Sequence, residues 1–206
     1  MSGRRAKGKA REELVVDAAA KAIADLGLAN VRVSDIAERA GMTPGHVTYY
    51  FPSKTELLML AIRQSEEALV EQVEVELDDI DDPWARLERL IALSASNGRG
   101  DVGWILWFQV WSDAATDDTV AEVHNELDER WRGILTDVLA YGRERGAFAF
   151  DDLDTASQLI SATIDGLSIQ LTVGAPNLDR ARMLELCVRA SAAFLGVPVA
   201  QPTDAA

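Results

Sequence analysis

Apolar residues recur at intervals of three and four along nearly the whole chain, and strict alternation of apolar and polar residues never persists. The first pattern lines one side of an α-helix, whereas alternation is typical of a strand. Near the N-terminus, Leu14, Ala18, Ala22 and Leu26 form one stripe, and Gly27 follows as a helix-ending residue. The pattern predicts an all-α fold with about nine helices and no sheet.

Cap and turn residues divide this pattern into helices. Ser34 is expected to cap the second helix and Thr43 the third, and Ser53 with Glu56 forms a capping box before the fourth. The predicted helices are 12–26, a short helix after Ser34, a brief one from Pro44 to about Phe51, 55–77, one opened by Asp82 and Pro83, 102–114 after Asp101, 119–145, 154–173 and 179–195. Helix 102–114 is apolar on every side, so we expect it to be buried.

The bulk composition of the 206 residues is that of a soluble globular protein, with 48% hydrophobic and 26% charged residues. No run of about 18 apolar residues is present, and the basic N-terminus is not followed by an apolar signal segment. The single cysteine, Cys187, cannot form an internal disulfide. These features predict a cytoplasmic protein without a membrane partner.

The net charge of −14 is divided unequally along the chain. Residues 1–55 carry nine Lys and Arg against six Asp and Glu, whereas the rest carries eleven against twenty-eight. A basic head on an acidic body would attract phosphates at one end and repel them elsewhere, so DNA could approach only the head. The charges alone fit equally well an acidic protein with a basic N-terminal tail.

The most informative segment is residues 33–58, which read VSDIAERAGMTPGHVTYYFPSKTELL. Two short helices meet at a turn containing Gly41, and the second carries exposed aromatic and hydroxyl residues, as in a helix-turn-helix. The segment closely resembles the DNA-binding region of the TetR family over residues 12–60. Arg145–Phe148 and Asp165–Leu167 loosely resemble the subgroup of choline-responsive betaine-pathway repressors.

The resemblance implies that successive parts of the chain have different functions. Residues 1–52 would form a three-helix DNA-binding domain with a basic N-terminal arm, residues 53–198 a ligand-binding and dimerisation domain, and residues 199–206 a disordered tail. The implied function is that of a homodimeric repressor, released from a palindromic operator in double-stranded DNA by a small-molecule effector of unknown identity.

The resemblance also implies which residues contact DNA. Base edges would be read from the second helix of the motif, while Tyr49, Tyr50 and Lys54 would lie towards the DNA backbone and Ser34 would bind a phosphate. Many relatives have Tyr at the position of Thr48, so the operator cannot be inferred from them. The predicted DNA-binding residues are Ser34, Thr43, Pro44, Gly45, His46, Thr48, Tyr49, Tyr50 and Lys54, with Val47 and Phe51 in the core.

An effector site is expected on the sixth helix. Its aromatic residues fall at intervals of three and four on one face, which suits either core packing or a mostly apolar pocket. An aromatic cage with an acidic group could also hold a cationic ligand. The predicted ligand-binding residues are Trp104, Trp107, Phe108, Trp111 and Trp131.

The dimer interface is expected on the last two helices, where small residues would allow close helix approach. In the family these helices form an intersubunit four-helix bundle. The predicted interface residues are Leu159, Thr163, Leu167, Leu171, Leu186, Ala190 and Phe194. Cys187, on the last of these helices, is expected to be a buried small hydrophobic residue.

Signals for catalysis are poor, and no cofactor, metal site or enzyme activity is predicted. His46 and His124 are isolated, and the acidic run Asp78–Asp82 is typical of a solvated turn. The alternative is a helical ligand carrier or enzyme whose N-terminal helices are only scaffold. The basic head, the capped short helices and Lys54 favour DNA binding, although an activator or a protein-binding adaptor would show the same features.

Overall fold

The computed structural model describes residues 2–197 of the chain, with side chains for residues 9–64 and 66–197. Within those residues the chain forms nine α-helices and no strand. The helices are α1 (Ser2–Leu26), α2 (Val33–Arg39), α3 (Pro44–Tyr50), α4 (Lys54–Asp78), α5 (Pro83–Ser94), α6 (Val102–Ala114), α7 (Asp118–Glu144), α8 (Leu153–Val173) and α9 (Arg180–Phe194). The all-α prediction is therefore confirmed, whereas the predicted disordered tail 199–206 lies outside the described residues.

The helix boundaries follow the cap residues. Thr43 accepts a hydrogen bond from the backbone N–H of His46 at 3.3 Å, and Asp82 accepts one from Ala85 at 2.7 Å. Asp101 in turn accepts one from Trp104 at 3.1 Å. These side chains satisfy backbone donors that have no partner inside the helix, which is why each helix begins where its cap stands.

Two expectations about helix starts are wrong. Helix α1 begins ten residues before the predicted Glu12, and Ser34 does not cap α2. The residue at the N-cap is Arg32, whose backbone N–H donates to the carboxylate of Asp35 at 2.8 Å. A carboxylate in the first turn also interacts favourably with the helix dipole, so Asp35 sets this boundary better than a serine hydroxyl does.

The chain packs as two compact units. The first consists of the residues up to Leu69 together with Ile105–Leu127, and the second of Val70–Trp104 together with the residues from Asp128 onward. Helices α4, α6 and α7 therefore each contribute residues to both units. This division of the packing differs from the predicted functional boundary at residue 52, which stays a prediction.

Each unit has its own apolar core. In the first unit, Ile36 and Val47 of the helix-turn-helix pack in one cluster with α1 residues, with Leu57 of α4 and with Val110 of α6. In the second unit, buried residues of α5, α7, α8 and α9 share a cluster; its largest fully buried side chains include Leu87, Ile91, Leu139, Ile160 and Met183. Burial of such side chains supplies most of the stability of each unit.

A buried hydroxyl network holds the loop before α6 against α8 in the second unit. The backbone N–H of Gly98 donates to Ser96 Oγ at 3.0 Å, and Ser96 Oγ lies 2.6 Å from Thr172 Oγ1. Thr172 donates its hydroxyl hydrogen to the carbonyl of Ser168 at 2.8 Å, so Ser96 must be the donor to Thr172. The loop and the C-terminal part of α8 are thereby joined by an ordered chain of hydrogen bonds.

The expectation that α6 is buried on every side is wrong. Only Val110 is buried among its residues, while Val102 and Ile105 are exposed and the four aromatic side chains are half-buried. A helix that is apolar on every side favours burial, but its sequence does not show which sides the rest of the chain covers. None of the helices in the described part of the chain is long and apolar enough to cross a membrane.

Candidate DNA-binding surface and effector site

The helix-turn-helix is formed by α2, α3 and the turn between them. Gly41 in this turn has φ of +63°, a left-handed conformation that glycine adopts without strain. The following backbone N–H, that of Met42, donates to the carbonyl of Ala37 at 2.9 Å and closes the end of α2. Val47 is fully buried, so α3 has one face fixed in the core and the opposite face in solvent.

The solvent face of α3 carries the residues that the sequence analysis assigned to DNA. Tyr49 is 77% exposed, and its ring meets the half-buried ring of Tyr50 edge-on at 5.3 Å between centroids. A side chain added at Gly45 would meet only the Thr43 hydroxyl within 4 Å, so the backbone is open to close approach there. Pro44, His46 and Thr48 are exposed beside them.

The Thr48 hydroxyl is already engaged by its own helix. Its oxygen lies 3.2 Å from the carbonyl oxygens of both Pro44 and Gly45, to which it donates its one hydrogen. Thr48 therefore presents to a ligand a methyl group and the acceptor lone pairs of its oxygen. Such a side chain can contact the methyl group of thymine or accept a hydrogen bond from a base amino group.

Polar and cationic side chains are exposed at the starts of α2 and α4, the helices that precede and follow α3 in the chain. Lys54 is exposed at the first position of α4, and Ser34 is exposed in the first turn of α2. Arg32, which was not predicted from the sequence, is exposed at the N-cap of α2, two residues before Ser34. Arg39, by contrast, is paired with Asp25 at 3.0 Å. The signal for Arg32 was available, because a cation at the start of a motif helix suits a phosphate contact.

The aromatic residues of α6 form a cluster that also includes a residue of α7. Within the first unit, the ring of Trp111 lies 6.3 Å from Trp107 and 6.0 Å from Phe108 between centroids. His124 meets Trp107 edge-on at 6.0 Å. We call Trp107, Phe108, Trp111 and His124 the aromatic cluster. His124 was missed because its position on another helix hides this contact from the sequence.

Part of the predicted ligand-binding set is held by core packing. Trp107 packs against the core of the first unit, and Trp131 packs against that of the second. Trp104 also belongs to the second unit. Phe108 and Trp111 are half-buried next to Trp107, so the aromatic cluster is the part of the predicted set that the first unit brings together.

A groove of about 510 Å³ in the second unit was not predicted from the sequence. Its lining includes the four carboxylates of Glu74, Asp78, Asp137 and Glu144, together with Arg86 and Tyr141. The guanidinium groups of Arg86 and Arg145 lie 3.9 and 3.5 Å from the centroid of the Tyr141 ring. Because the chain's own cations already occupy this aromatic surface, the groove offers no comparable aromatic face to a ligand.

The predicted interface helices expose an apolar face in the second unit. Val173 is 63% exposed, and Leu159, Ile169 and Phe194 are also exposed. The half-buried residues of the predicted set are Thr163, Leu167, Leu186 and Ala190. We call these eight residues the α8/α9 face. Leu171 is only 6% exposed, so its side chain packs mainly in the core of its own chain, and its place in the interface stays a prediction.

Cys187 is fully buried, and burial raises the pKa of its thiol to about 11. Exclusion of water disfavours the thiolate, so the side chain acts as a small apolar residue, as predicted. Among the described residues, no group of three or more His, Cys, Asp or Glu is placed to hold a metal ion.

Two family models match the chain. The model for bacterial regulatory proteins of the tetR family matches residues 15–60, and the model for the C-terminal domain of BetI-type transcriptional repressors matches residues 83–196. The first match contains the helix-turn-helix, and the second contains α5–α9.

Individual proteins are also similar to the chain over most of its length. The HTH-type transcriptional regulator BetI of Stenotrophomonas maltophilia is 26% identical over 84% of this chain and 88% of its own length. The fatty acid metabolism regulator protein of Bacillus subtilis is 26% identical over 73% of this chain and 78% of its own length. The crystal structure of a protein from Saccharomonospora viridis, described as a transcriptional regulator, was solved in complex with choline. It superimposes on this chain with a TM-score of 0.76 at 30% identity, and the match covers 87% of this chain and 94% of that one.

Proposed function

This chain belongs to the TetR family of DNA-binding transcriptional regulators, in the group with BetI-type C-terminal domains, and we propose that it works as a homodimer on a palindromic operator. A small organic effector bound at the aromatic cluster would release it from DNA. Proteins of this family are regulators rather than enzymes, and the aromatic cluster accordingly serves as a binding site in this proposal.

The exposed face of α3 is the observation that carries the DNA-binding part of the proposal. Val47 anchors the helix in the core, while Tyr49, Thr48 and Gly45 are exposed on the other side. A helix of this size fits the major groove, which is about 12 Å wide. Lys54, Ser34 and Arg32 would hold phosphates and so set the register, while α3 reads the bases.

The α8/α9 face supports dimerisation. Four exposed apolar side chains lie on α8 and α9 beside half-buried residues, which include the small Ala190. Exposed apolar side chains grouped on two neighbouring helices are typical of protein interfaces. A two-fold axis through the face would pair it with the same face of a second copy and give two heads for two half-sites.

The effector is proposed to be a small organic cation with a quaternary ammonium group. The aromatic cluster contains two Trp rings, the side chains that attract such cations best among the aromatic residues. The choline complex of the Saccharomonospora viridis protein, at 30% identity, supports this chemical class for a relative of the same fold. Choline is accordingly the first compound to test.

The proposal is tested by retardation of duplex DNA selected from a random pool by the purified protein. We expect selection to yield a palindrome and Tyr49→Ala to lose most of the affinity, with Leu14→Ala, an exposed residue of α1, as the matched control. Failure of the folded protein to enrich any sequence would contradict the proposal and favour a helical carrier with a scaffold head.

A further inference from the structure

One side chain of α6 reaches the turn that leads into the helix-turn-helix. The backbone N–H of Ala29 donates to Gln109 Oε1 at 3.1 Å, although the two residues are 80 positions apart in the chain. The amide also covers Gly27, where an added Cβ would lie 3.4 Å from Gln109 Nε2. Both partners belong to the first compact unit.

The turn itself is closely organised. Gly27 has φ of +75° and ends α1, and the N–H of Asn30 donates to its carbonyl at 3.1 Å. The side chain of Asn30 donates to the carbonyl of Leu26 at 3.0 Å. The turn ends two residues before Arg32, the N-cap of α2, so its conformation sets where the first helix of the DNA-binding motif begins.

Gln109 and the aromatic cluster lie on opposite sides of α6. Gln109 is two positions from both Trp107 and Trp111, which places it about 160° around the helix from each of them. A helix moves as one packed body, so displacement of α6 from the aromatic side also moves its other side. An effector bound at the aromatic cluster would therefore also displace the contact between α6 and the turn before α2.

We propose that Gln109 is the positioning residue that couples the aromatic cluster to the helix-turn-helix. With the hydrogen bond to Ala29 in place, the turn holds α2 and α3 in the arrangement that binds DNA. An effector that shifts α6 opens this contact, and because Ala29 is exposed, water replaces the lost acceptor and the change is reversible. The proposal rests on the proposed function, since it assigns the regulation of the same DNA-binding surface.

Reciprocity makes the coupling measurable without knowledge of the effector. If the position of α6 and the DNA-binding head are coupled, DNA binding must in turn bias the position of α6 and so change the surroundings of the cluster. The probe is the full-length protein carrying fluorinated tryptophan, with its five Trp resonances assigned by single Trp→Phe substitutions. The DNA is the duplex selected by the wild-type protein.

The variants separate the hydrogen bond from the shape of the side chain. Gln109→Met keeps the length but removes the acceptor, whereas Gln109→Glu keeps an acceptor oxygen. We expect DNA to shift the Trp107 and Trp111 resonances in the wild type and in Gln109→Glu, and to leave them unmoved in Gln109→Met. The Met variant should also bind the duplex about fivefold more weakly and exchange the amide hydrogen of Ala29 faster, with the Glu variant close to wild type.

The outcomes separate this inference from the proposed function. If the wild type binds no DNA, the proposed function itself fails. If the wild type binds DNA and Gln109→Met retains the same Trp shifts, or the wild-type resonances do not move at all, the coupling through Gln109 is refuted. Gln109→Ala serves as a second variant, because it removes the acceptor without adding an apolar end group.

Discussion

The exposed face of α3 and the α8/α9 face are both open to solvent, yet they differ in almost every chemical respect. The α3 face lies on a helix of seven residues and presents a phenol, an imidazole, a threonine and a glycine. The α8/α9 face lies on helices of 21 and 15 residues, and its exposed members are Leu, Ile, Val and Phe.

The difference shows what each face can bind. Side chains with polar ends can stay hydrated while they meet phosphates and base edges, and protein–DNA interfaces hold many ordered waters. Branched aliphatic residues gain only when water is removed, as happens at the centre of an interface between subunits. The first face therefore suits a nucleic acid, and the second suits another copy of the chain.

The largest effect is expected from a charge on the α8/α9 face. Phe194→Arg should convert the dimer into monomers, because two-fold symmetry would bury two unpaired guanidinium groups at a cost of about 3 kcal/mol or more. Operator affinity should fall by about 100-fold or more. Val75→Arg on α4, which is 69% exposed in the wild type, is the control and should remain dimeric. If Phe194→Arg sediments as the wild type does, the α8/α9 face is not the dimer interface.

The next effect concerns phosphate contact beside α3. Lys54→Ala should weaken binding to all duplexes and reduce the slope of log K against log salt by about two, one for each protomer. Lys21→Ala, which removes an exposed charge from α1, should leave the slope unchanged. A variant at Lys54 that altered sequence preference without altering the slope would contradict the assigned role.

A smaller effect should reveal how Thr48 reads a base. Because its hydroxyl donates back to its own helix, Thr48→Val should keep a preference for thymine, whereas Thr48→Ser should lose it. Replacement of that thymine by uracil, which lacks the methyl group, should cost the wild type about 0.8 kcal/mol per half-site. Equal affinity for thymine and uracil at every operator position would show that Thr48 reads bases through its oxygen or not at all.

The smallest effect distinguishes the interface from the core beneath it. Burial holds the pKa of Cys187 at about 11, so the thiol should resist labelling at pH 8 in the wild type and in monomeric Phe194→Arg alike. A raised pKa stabilises the fold fully below the unfolded value near 9, and this contribution is lost as the pH rises to about 11. Rapid labelling of the folded monomer would mean that Cys187 is protected by contact with the partner subunit and not by the core of its own chain.

Much of the fold was predictable because it depends on local chemistry. Apolar spacing and the caps at Thr43, Asp82 and Asp101 act within one turn of helix, and the helices begin where these residues predict. The error at Ser34 is also local, since Asp35 one residue later is the stronger partner for the first turn of α2.

The rest depends on contacts between distant residues. Gln109 meets Ala29 across 80 positions, and Ser96 meets Thr172 across 76, and neither pair has a sequence pattern that joins its members. The burial of α6 was misjudged for the same reason, because an apolar helix does not reveal which of its faces the rest of the chain covers. Leu171 and Leu159 differ in burial through the rotation of α8, which apolar spacing determines only coarsely.

We expect two copies of the α3 face to read DNA together, held by the α8/α9 face. Footprinting on the selected duplex tests it most directly, with wild type and Phe194→Arg compared at equal protomer concentration. We expect two protected stretches in the wild type, related by two-fold symmetry and centred about one helical turn, or 34–36 Å, apart, with no protection by the variant. A single asymmetric footprint, or equal protection by the monomeric variant, would contradict it.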